Sequence, residues 1–277
     1  MTAKTFLITG VSQGLGRAFA EAALAAGHMV VGTVRDAAAR TAFEELGHGR
    51  AKAVILDVTD FAAVEAVIGQ ADRDAGGIDV LVNNAGYGHE GILEESPLDA
   101  LLHQFNVNVF GAVAMIKAVL PGMRARRRGH IINISSMAGL AALPGIAYYS
   151  GSKFALEGIS EVLAKEVRDF GIHVTALAPG SFRTEWAGSS MVRSDRNIAD
   201  YDALFAPVRR AREQKSGRQS GDPAKAAKVL LDLVEAEHPP VHLILGADAL
   251  QLVRDRTKAL LAEFDAWEDV SRSTDFD

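Results

Sequence analysis

The sequence predicts an α/β protein built on one doubly wound, seven-stranded parallel sheet with helices on both faces. Three observations carry that prediction. Short apolar runs alternate with longer helix-period segments, several of the runs are hydrophobic without interruption, and a glycine-rich turn follows the first of them. Strand–helix alternation is the βαβ pattern of a parallel sheet. Uninterrupted apolar strands are what a sheet covered on both faces needs.

The predicted strands span 5–9, 29–34, 52–56, 80–83, 130–135, 173–178 and 242–245. Between the fourth and fifth, Leu98, Leu102, Phe105, Val109, Ala112, Ile116 and Leu120 recur every three or four residues and predict one long amphipathic helix. Ser96-Pro97 and Asp222-Pro223 read as N-cap and first-turn pairs that open helices. Residues 182–220 break the rhythm: they are polar, basic and weakly periodic, the signature of a lid or a disordered excursion. After the last strand, 247–269 reads as a further amphipathic helix. With no repeat, linker or low-complexity tract, residues 1–277 are read as one domain.

Composition narrows the function. A chain of 277 residues with a formal charge of −6 offers no general attraction to nucleic acid or anionic membrane. The basic run Arg124-Ala125-Arg126-Arg127-Arg128 closes the long helix, where cations complement the helix dipole. There is no cysteine, which removes disulfides, thiolate metal sites and a Cys nucleophile. No His-rich metal spacing occurs, and His89 and His103 read as loop and helix-surface residues. No stretch approaches the roughly 20 apolar residues of a membrane span. The N-terminus enters a strand without a signal peptide, so a cytoplasmic protein is expected.

The turn Thr9-Gly10-Val11-Ser12-Gln13-Gly14-Leu15-Gly16 lies between a strand and a helix. Glycines there let the backbone turn tightly and approach a pyrophosphate, which faces the positive end of the helix. At the end of the second strand, Val34 stands where an acid would contact ribose hydroxyls, and Arg35 follows. A guanidinium suits a 2′-phosphate. Asp36 next to it also allows an Asp-capped helix start with Arg35 simply solvated. The reading favours NADP and leaves NAD open.

Tyr149-Ser150-Gly151-Ser152-Lys153 sets a phenol and an ammonium one helical turn apart. A free phenol titrates near 10, and a neighbouring cation is expected to bring it down towards the working range.

Taken with the glycine turn, this pair resembles the short-chain dehydrogenase/reductase family in its single-domain, Rossmann-type branch. The resemblance extends through Asp57-Val58, Asn83-Asn84-Ala85-Gly86, Asn108-Val109-Phe110-Gly111, Ile132-Asn133-Ile134-Ser135-Ser136, and Pro179-Gly180 with Thr184. Arg35 and the helix after the last strand look most like the 17β-hydroxysteroid-dehydrogenase-like group. The resemblance implies a catalytic set of Asn108, Ser136, Tyr149 and Lys153. Ser136 is preferred over Ser135 for its distance from Tyr149. The implied cofactor contacts are Gly10, Ser12, Gln13, Gly14, Leu15, Gly16, Arg35, Asp57, Val58, Asn84, Ala85, Gly86, Tyr149, Lys153, Pro179, Gly180 and Thr184, with no metal.

In the implied chemistry Tyr149 exchanges a proton with the substrate oxygen and Ser136 hydrogen-bonds it. Lys153 tunes the phenol, and Asn108 positions a water. The expected function is NADP-linked hydride transfer with a carbonyl or secondary alcohol of lipophilic character. An idle NADP(H)-binding sensor or scaffold is the alternative. The resemblance also implies a homodimer through 98–128 and 149–170. Two departures stand out: Gln13 replaces a basic residue frequent in NADP-preferring members, and a long helix replaces the glycine-rich tail used in tetramers.

Overall fold

A computed structural model describes residues 2–188 and 190–276, apart from the Ala187 side chain. Met1 and Asp277, the ends of the predicted domain, and Ser189 of the predicted lid lie outside the described residues.

The chain runs β1 (Thr5–Ile8), α1 (Gly14–Ala25), β2 (Met29–Val34), α2 (Ala37–Glu44), β3 (Ala51–Ile55), α3 (Phe61–Asp74), β4 (Val80–Asn83) and β5 (Gly88–Glu90). It continues through α4 (Leu98–Phe105), α5 (Gly111–Arg126), β6 (Gly129–Ile134), α6 (Ala147–Val167), β7 (Ile172–Pro179) and β8 (Met191–Arg193). The last elements are α7 (Asp202–Lys215), α8 (Pro223–Glu235), β9 (His242–Leu245), α9 (Ala247–Ala266) and α10 (Glu268–Arg272). Seven strands form one parallel sheet in the order β3-β2-β1-β4-β6-β7-β9. Every predicted strand is present, with ends within a residue of expectation.

Alternate strand residues feed opposite faces. Phe6, Ile8, Val30, Val82 and Ile132 pack under α1, α2 and α8, whereas Leu7, Val31, Leu81 and Ile131 pack under α3, α5 and α6. Strand order reverses between β1 and β4, which opens a crevice at their C-terminal ends where such folds bind ligands.

Several expectations change. The long helix is interrupted by a π-turn, Asn106–Phe110, and its apolar stripe divides there. Val109, Ala112, Ile116, Val119 and Met123 are buried, but Leu98 and Leu102 are exposed. By length and composition alone, Leu98–Arg126 could cross a membrane, contrary to the sequence expectation. Its buried face packs against α3 and the sheet as part of the core. α4 begins at Leu98, and the Ser96 hydroxyl donates back to the Ile92 carbonyl at 2.8 Å instead of capping the helix. Asp222 does cap α8, accepting from the Ala224 N–H at 2.8 Å. His89 is no loop residue: it is buried in β5, stacked on Tyr148 and 2.9 Å from the Ser194 hydroxyl.

The largest correction is residues 182–220. They fold into β8, which pairs with β5 in a small parallel sheet, and α7. Polar composition hid this because the segment is held by ion pairs more than by an apolar stripe. The Glu90 carboxylate, fully out of solvent, meets Arg209 at 2.8 Å, Arg212 at 3.0 Å and Arg193 at 3.5 Å. The Glu95 carboxylate accepts from Arg196 at 2.7 Å and from the Asn197 and Ile198 N–H groups. Phe205 is buried between the guanidiniums of Arg196 and Arg209, against Gly145.

Candidate active site

The glycine turn sits over the crevice. Gly10 and Gly14 have φ of +70° and +63°, a conformation L side chains rarely adopt. A Cβ on Gly16 would collide with the Gly10 carbonyl and the Asn84 amide. Thr33 Oγ1 accepts from the Gly10 N–H at 3.0 Å. Thr9 Oγ1 accepts from the N–H groups of Asn84 and Ala85. Asn84 Nδ2 returns bonds to the carbonyls of Thr9 and Gly10.

Helix α1 begins at Gly14 without a side-chain cap, because the Gln13 side chain donates instead to the Ser190 hydroxyl at 3.0 Å. An uncapped helix N-terminus behind a glycine cradle fits a dinucleotide pyrophosphate. Ser12 is exposed beside it, and Leu15 packs onto the core.

The other predicted cofactor residues ring the same crevice. Asp36 caps α2, accepting from the Ala39 N–H at 2.8 Å, and Arg35 is exposed beside it. The Asp57 carboxyl is held below its ordinary range chiefly by the Thr59 N–H and hydroxyl, with help from the Arg35 and His103 charges. Val58 packs where a Cβ on Gly111 would stand. A Cβ on Gly86 would press on Asn108 Oδ1 at 3.0 Å. Pro179 ends β7, the Gly180 N–H bonds the Leu245 carbonyl at 2.8 Å, and Thr184 lies against Gly14.

At the far end of the crevice three side chains converge. Ser136, just past β6, directs its hydroxyl to Tyr149 and accepts from the Ala138 N–H at 3.1 Å. Ser135, by contrast, keeps a buried hydroxyl without a partner. Lys153 follows Tyr149 by one turn of α6. Its Nζ donates to the Ile134 carbonyl at 2.7 Å and lies 5.7 Å from the Tyr149 ring centre.

Asn108 is buried in the π-turn, facing α6. Nδ2 donates to the Tyr87 carbonyl and to Ser152, and Oδ1 accepts from the Tyr87 N–H. Its side chain therefore ties α6 to the segment after β4.

The electrostatics also correct an expectation. Burial pushes the Tyr149 hydroxyl up to about 12, with Ser136 and Trp186 pulling the other way. Burial pushes the Lys153 ammonium down to about 8, opposed by Glu157 one turn further along. Desolvation dominates because both groups are buried, and the Lys153 ammonium, which gives one of its three N–H groups to the Ile134 carbonyl, stands 5.7 Å from the ring centre.

Sequence reasoning missed the groups that support this site. Thr9 and Thr33 brace the glycine turn, Ser152 receives Asn108, and Gly88 makes room for Trp186. A Cβ on Gly88 would sit 2.8 Å from the indole. None of these has a local signature. Trp186, just after Thr184, packs 5.0 Å from the Tyr149 ring, and Leu143 and Ile146 complete an apolar wall. Its Nε1 is buried without a well-formed hydrogen bond, close enough to Tyr149 to favour the phenolate. Tyr148 turns away to the Ser96 carbonyl.

Comparisons with known proteins identify the family. The short chain dehydrogenase family model matches residues 4–194. The chain is 37% identical to oxidoreductase BOA17 of Botryotinia fuckeliana (strain B05.10), over 97% of this chain and 98% of that one. It is 36% identical to a 3-ketodihydrosphingosine reductase of Bacteroides thetaiotaomicron, over 95% of each. It is 34% identical to an NADPH-dependent 3-dehydrocapnine reductase of Ornithobacterium rhinotracheale, over 74% of this chain and 75% of that one.

A crystal structure of a short-chain dehydrogenase from Streptomyces avermitilis superposes with a TM-score of 0.92 at 40% identity, covering all of both chains. A short-chain dehydrogenase/reductase from Burkholderia phymatum in complex with NAD gives 0.82 at 27% identity, over 94% of this chain and 95% of that one. The chain therefore belongs to the short-chain dehydrogenase/reductase family and is an oxidoreductase of CH–OH or C=O groups that uses a nicotinamide cofactor.

Proposed function

We propose that the protein reduces a lipophilic ketone or aldehyde with NADPH, or runs the reverse oxidation of a secondary alcohol, within one NAD(P)-binding domain. The observation that carries this reading is the convergence of Ser136, Tyr149 and Lys153 in one dry corner, facing the apolar wall of Leu143, Ile146 and Trp186. The nicotinamide, when bound, supplies or accepts the hydride. Tyr149, titrating near 12, holds its proton at neutral pH and can give it to a substrate oxygen that gains charge. The Ser136 hydroxyl hydrogen-bonds the same oxygen. Asn108 fixes α6 by tying it to Tyr87.

Arg35 is the proposed 2′-phosphate contact: Asp36 is occupied at the α2 cap, and the exposed guanidinium faces the crevice edge near Asp57. Relatives named as reductases of a 3-keto and a 3-dehydro compound, one of them NADPH-dependent, support the same direction and cofactor. A homodimer through 98–128 and 149–170 fits the exposed Leu98, Leu102, Phe110, Phe154 and Val162. A cytoplasmic location belongs to the same reading.

The test is nicotinamide absorbance decay on a panel of ketones and aldehydes, with NADPH and NADH in parallel. Tyr149→Phe should lower turnover by about 100- to 10,000-fold. Arg35→Ala should reduce the NADPH preference by about tenfold or more, the weight of a charge-assisted hydrogen bond. Wild-type turnover in Tyr149→Phe would refute the mechanism. Tight NADPH binding with silence across the panel would favour a sensor.

A further inference from the structure

Helix α9 is anchored through its first half, where it packs against β9 and the turn Met137–Gly139 and where Leu252, Val253 and Arg256 are half-buried, with Leu260 the last half-buried residue. Ala249 is fully buried, and Asp248 accepts from the Ser181 N–H at 3.1 Å. From 261 to 276 every described residue is exposed. A helix that projects from the body is expected to be polar all round, unless something covers one side. This one is not. Leu250, Val253, Thr257, Leu260, Phe264 and Trp267 alternate in spacing between three and four residues, the seam of paired helices. Leu261, Phe264 and Trp267 are 55%, 59% and 65% exposed.

We propose that this stripe is covered by α9 of a second copy of the chain, the two helices running antiparallel. Charge selects that occupant and that direction. Arg254, Arg256 and Lys258 lie in the first half of the exposed stretch, where the one acid among them, Asp255, is turned away from the stripe and bonded by Gln251, and Glu263 and Asp265 lie in the second, where Glu268 is paired with Arg272 of its own chain. A parallel pair would set like charge on like charge, whereas an antiparallel pair sets basic on acidic.

The register is sharper still. At about 100° per residue, Arg256 and Glu263 border one side of the stripe, and Arg254 and Asp265 border the other. A two-fold axis crossing the pair makes each border face itself. One register then matches Arg256 with Glu263 of the second copy and Arg254 with Asp265 of the second copy at once. The same register brings Leu260 onto its own mate and seats Phe264 between Val253 and Thr257 of the second copy.

Arg254, Arg256, Glu263 and Asp265 make no ion pair within their own chain among the described residues, so they are free to pair between copies. The stretch 247–276 carries seven acidic and four basic residues, which opposes docking on an anionic membrane. The surface is separate from the 98–128 and 149–170 face, so it does not depend on the catalytic reading. Two such distinct two-fold contacts would close a tetramer by a route that needs no glycine-rich tail.

Sedimentation equilibrium of the full chain tests this, with helical circular dichroism as the control for folding. Phe264→Glu should halve the mass of the assembly at micromolar concentration. Arg256→Glu and Glu263→Arg should each weaken association by about tenfold, and the double variant should recover to within about threefold of wild type. Wild-type mass in Phe264→Glu would overturn the proposal. Lack of recovery in the double variant would overturn the antiparallel register. Loss of binding to neutral phosphatidylcholine vesicles in Phe264→Glu, at unchanged mass, would overturn it in favour of a lipid surface.

Discussion

The glycine turn and the segment 182–220 beside it, the expected lid, are held in opposite ways. The turn is fixed by short neutral hydrogen bonds from Thr9, Thr33 and Asn84 to neighbouring backbone. The lid is fixed by long charged side chains that reach across more than a hundred residues of sequence, from Glu90 to Arg209 and Arg212 and from Glu95 to Arg196. The turn has one geometry, imposed by positive φ and close approach. The segment has two carboxylates on which its position depends: removing Glu90 leaves Arg209 and Arg212 facing each other, and removing Glu95 leaves Arg196 to Asp202 and strips the Asn197 and Ile198 N–H groups of their acceptor. A neutral backbone cradle and a charge-stapled segment are thus written in different physical terms.

Glu90→Gln is the most severe way to break that contrast. It removes a fully buried charge and leaves Arg193, Arg209 and Arg212 around a neutral amide. Breaking a buried pair costs about 3–5 kcal/mol. Amide exchange should accelerate across β8 and α7 while the amides of β1 and α1 stay protected, and KM for substrate should rise more than Kd for the nicotinamide. Uniform exchange over the whole chain would show that the lid is not a separate unit.

A smaller effect is expected at the turn. Gly16→Ala places a methyl on the Gly10 carbonyl and the Asn84 amide, and such overpacking costs about 1–3 kcal/mol. Nicotinamide affinity should fall by about tenfold or more, read by titration of the cofactor, with lid exchange unchanged. Equal loss of lid protection would mean that the two regions act as one.

The same division explains what the sequence shows. The seven strands, the glycine turn and the Tyr149–Lys153 pair are legible because each is local: apolar runs, a run of glycines, one helical turn. The positions of Ser136 and Thr184 follow from a family pattern. The lid fold is illegible, because its β8–β5 pairing and its Glu90 staple join residues about a hundred positions apart through charges that read as solvated surface. Leu98 and Leu102 mislead for a related reason: periodicity marks an apolar face without saying whether the core or another chain covers it. The titration of Tyr149 misleads because helical spacing locates the cation but says nothing of burial.

Acid separates body from lid by window. His130 in β6 is buried, and burial, aided by the His173 and Lys4 charges, pushes it down from 6.5 to about 3. Thr175 gives its hydroxyl proton to the Pro240 carbonyl at 2.7 Å, so the His130 nitrogen 3.1 Å away must be the donor, a neutral tautomer that acid threatens. Between these values the unfolded chain binds a proton that the fold does not. The contribution of His130 is complete above 6.5 and is lost as pH falls towards 3.

For Glu95, burial raises the carboxyl, but the Asn197 and Ile198 N–H groups and Arg196 outweigh it, so the group titrates below its ordinary 4.5. Its contribution is complete above that value and is lost only as pH falls through the folded one. Thermal unfolding followed from pH 7 downward should therefore decline first in the His130 window, and His130→Gln should flatten that slope. Amide exchange at Asn197 and Ile198 should stay slow until pH falls below the ordinary carboxyl range. Release of those two amides already near pH 6 in a His89→Gln variant, which lacks the buried ring 2.9 Å from Ser194 that burial also holds below 6.5, would show that Glu95 does not hold the segment.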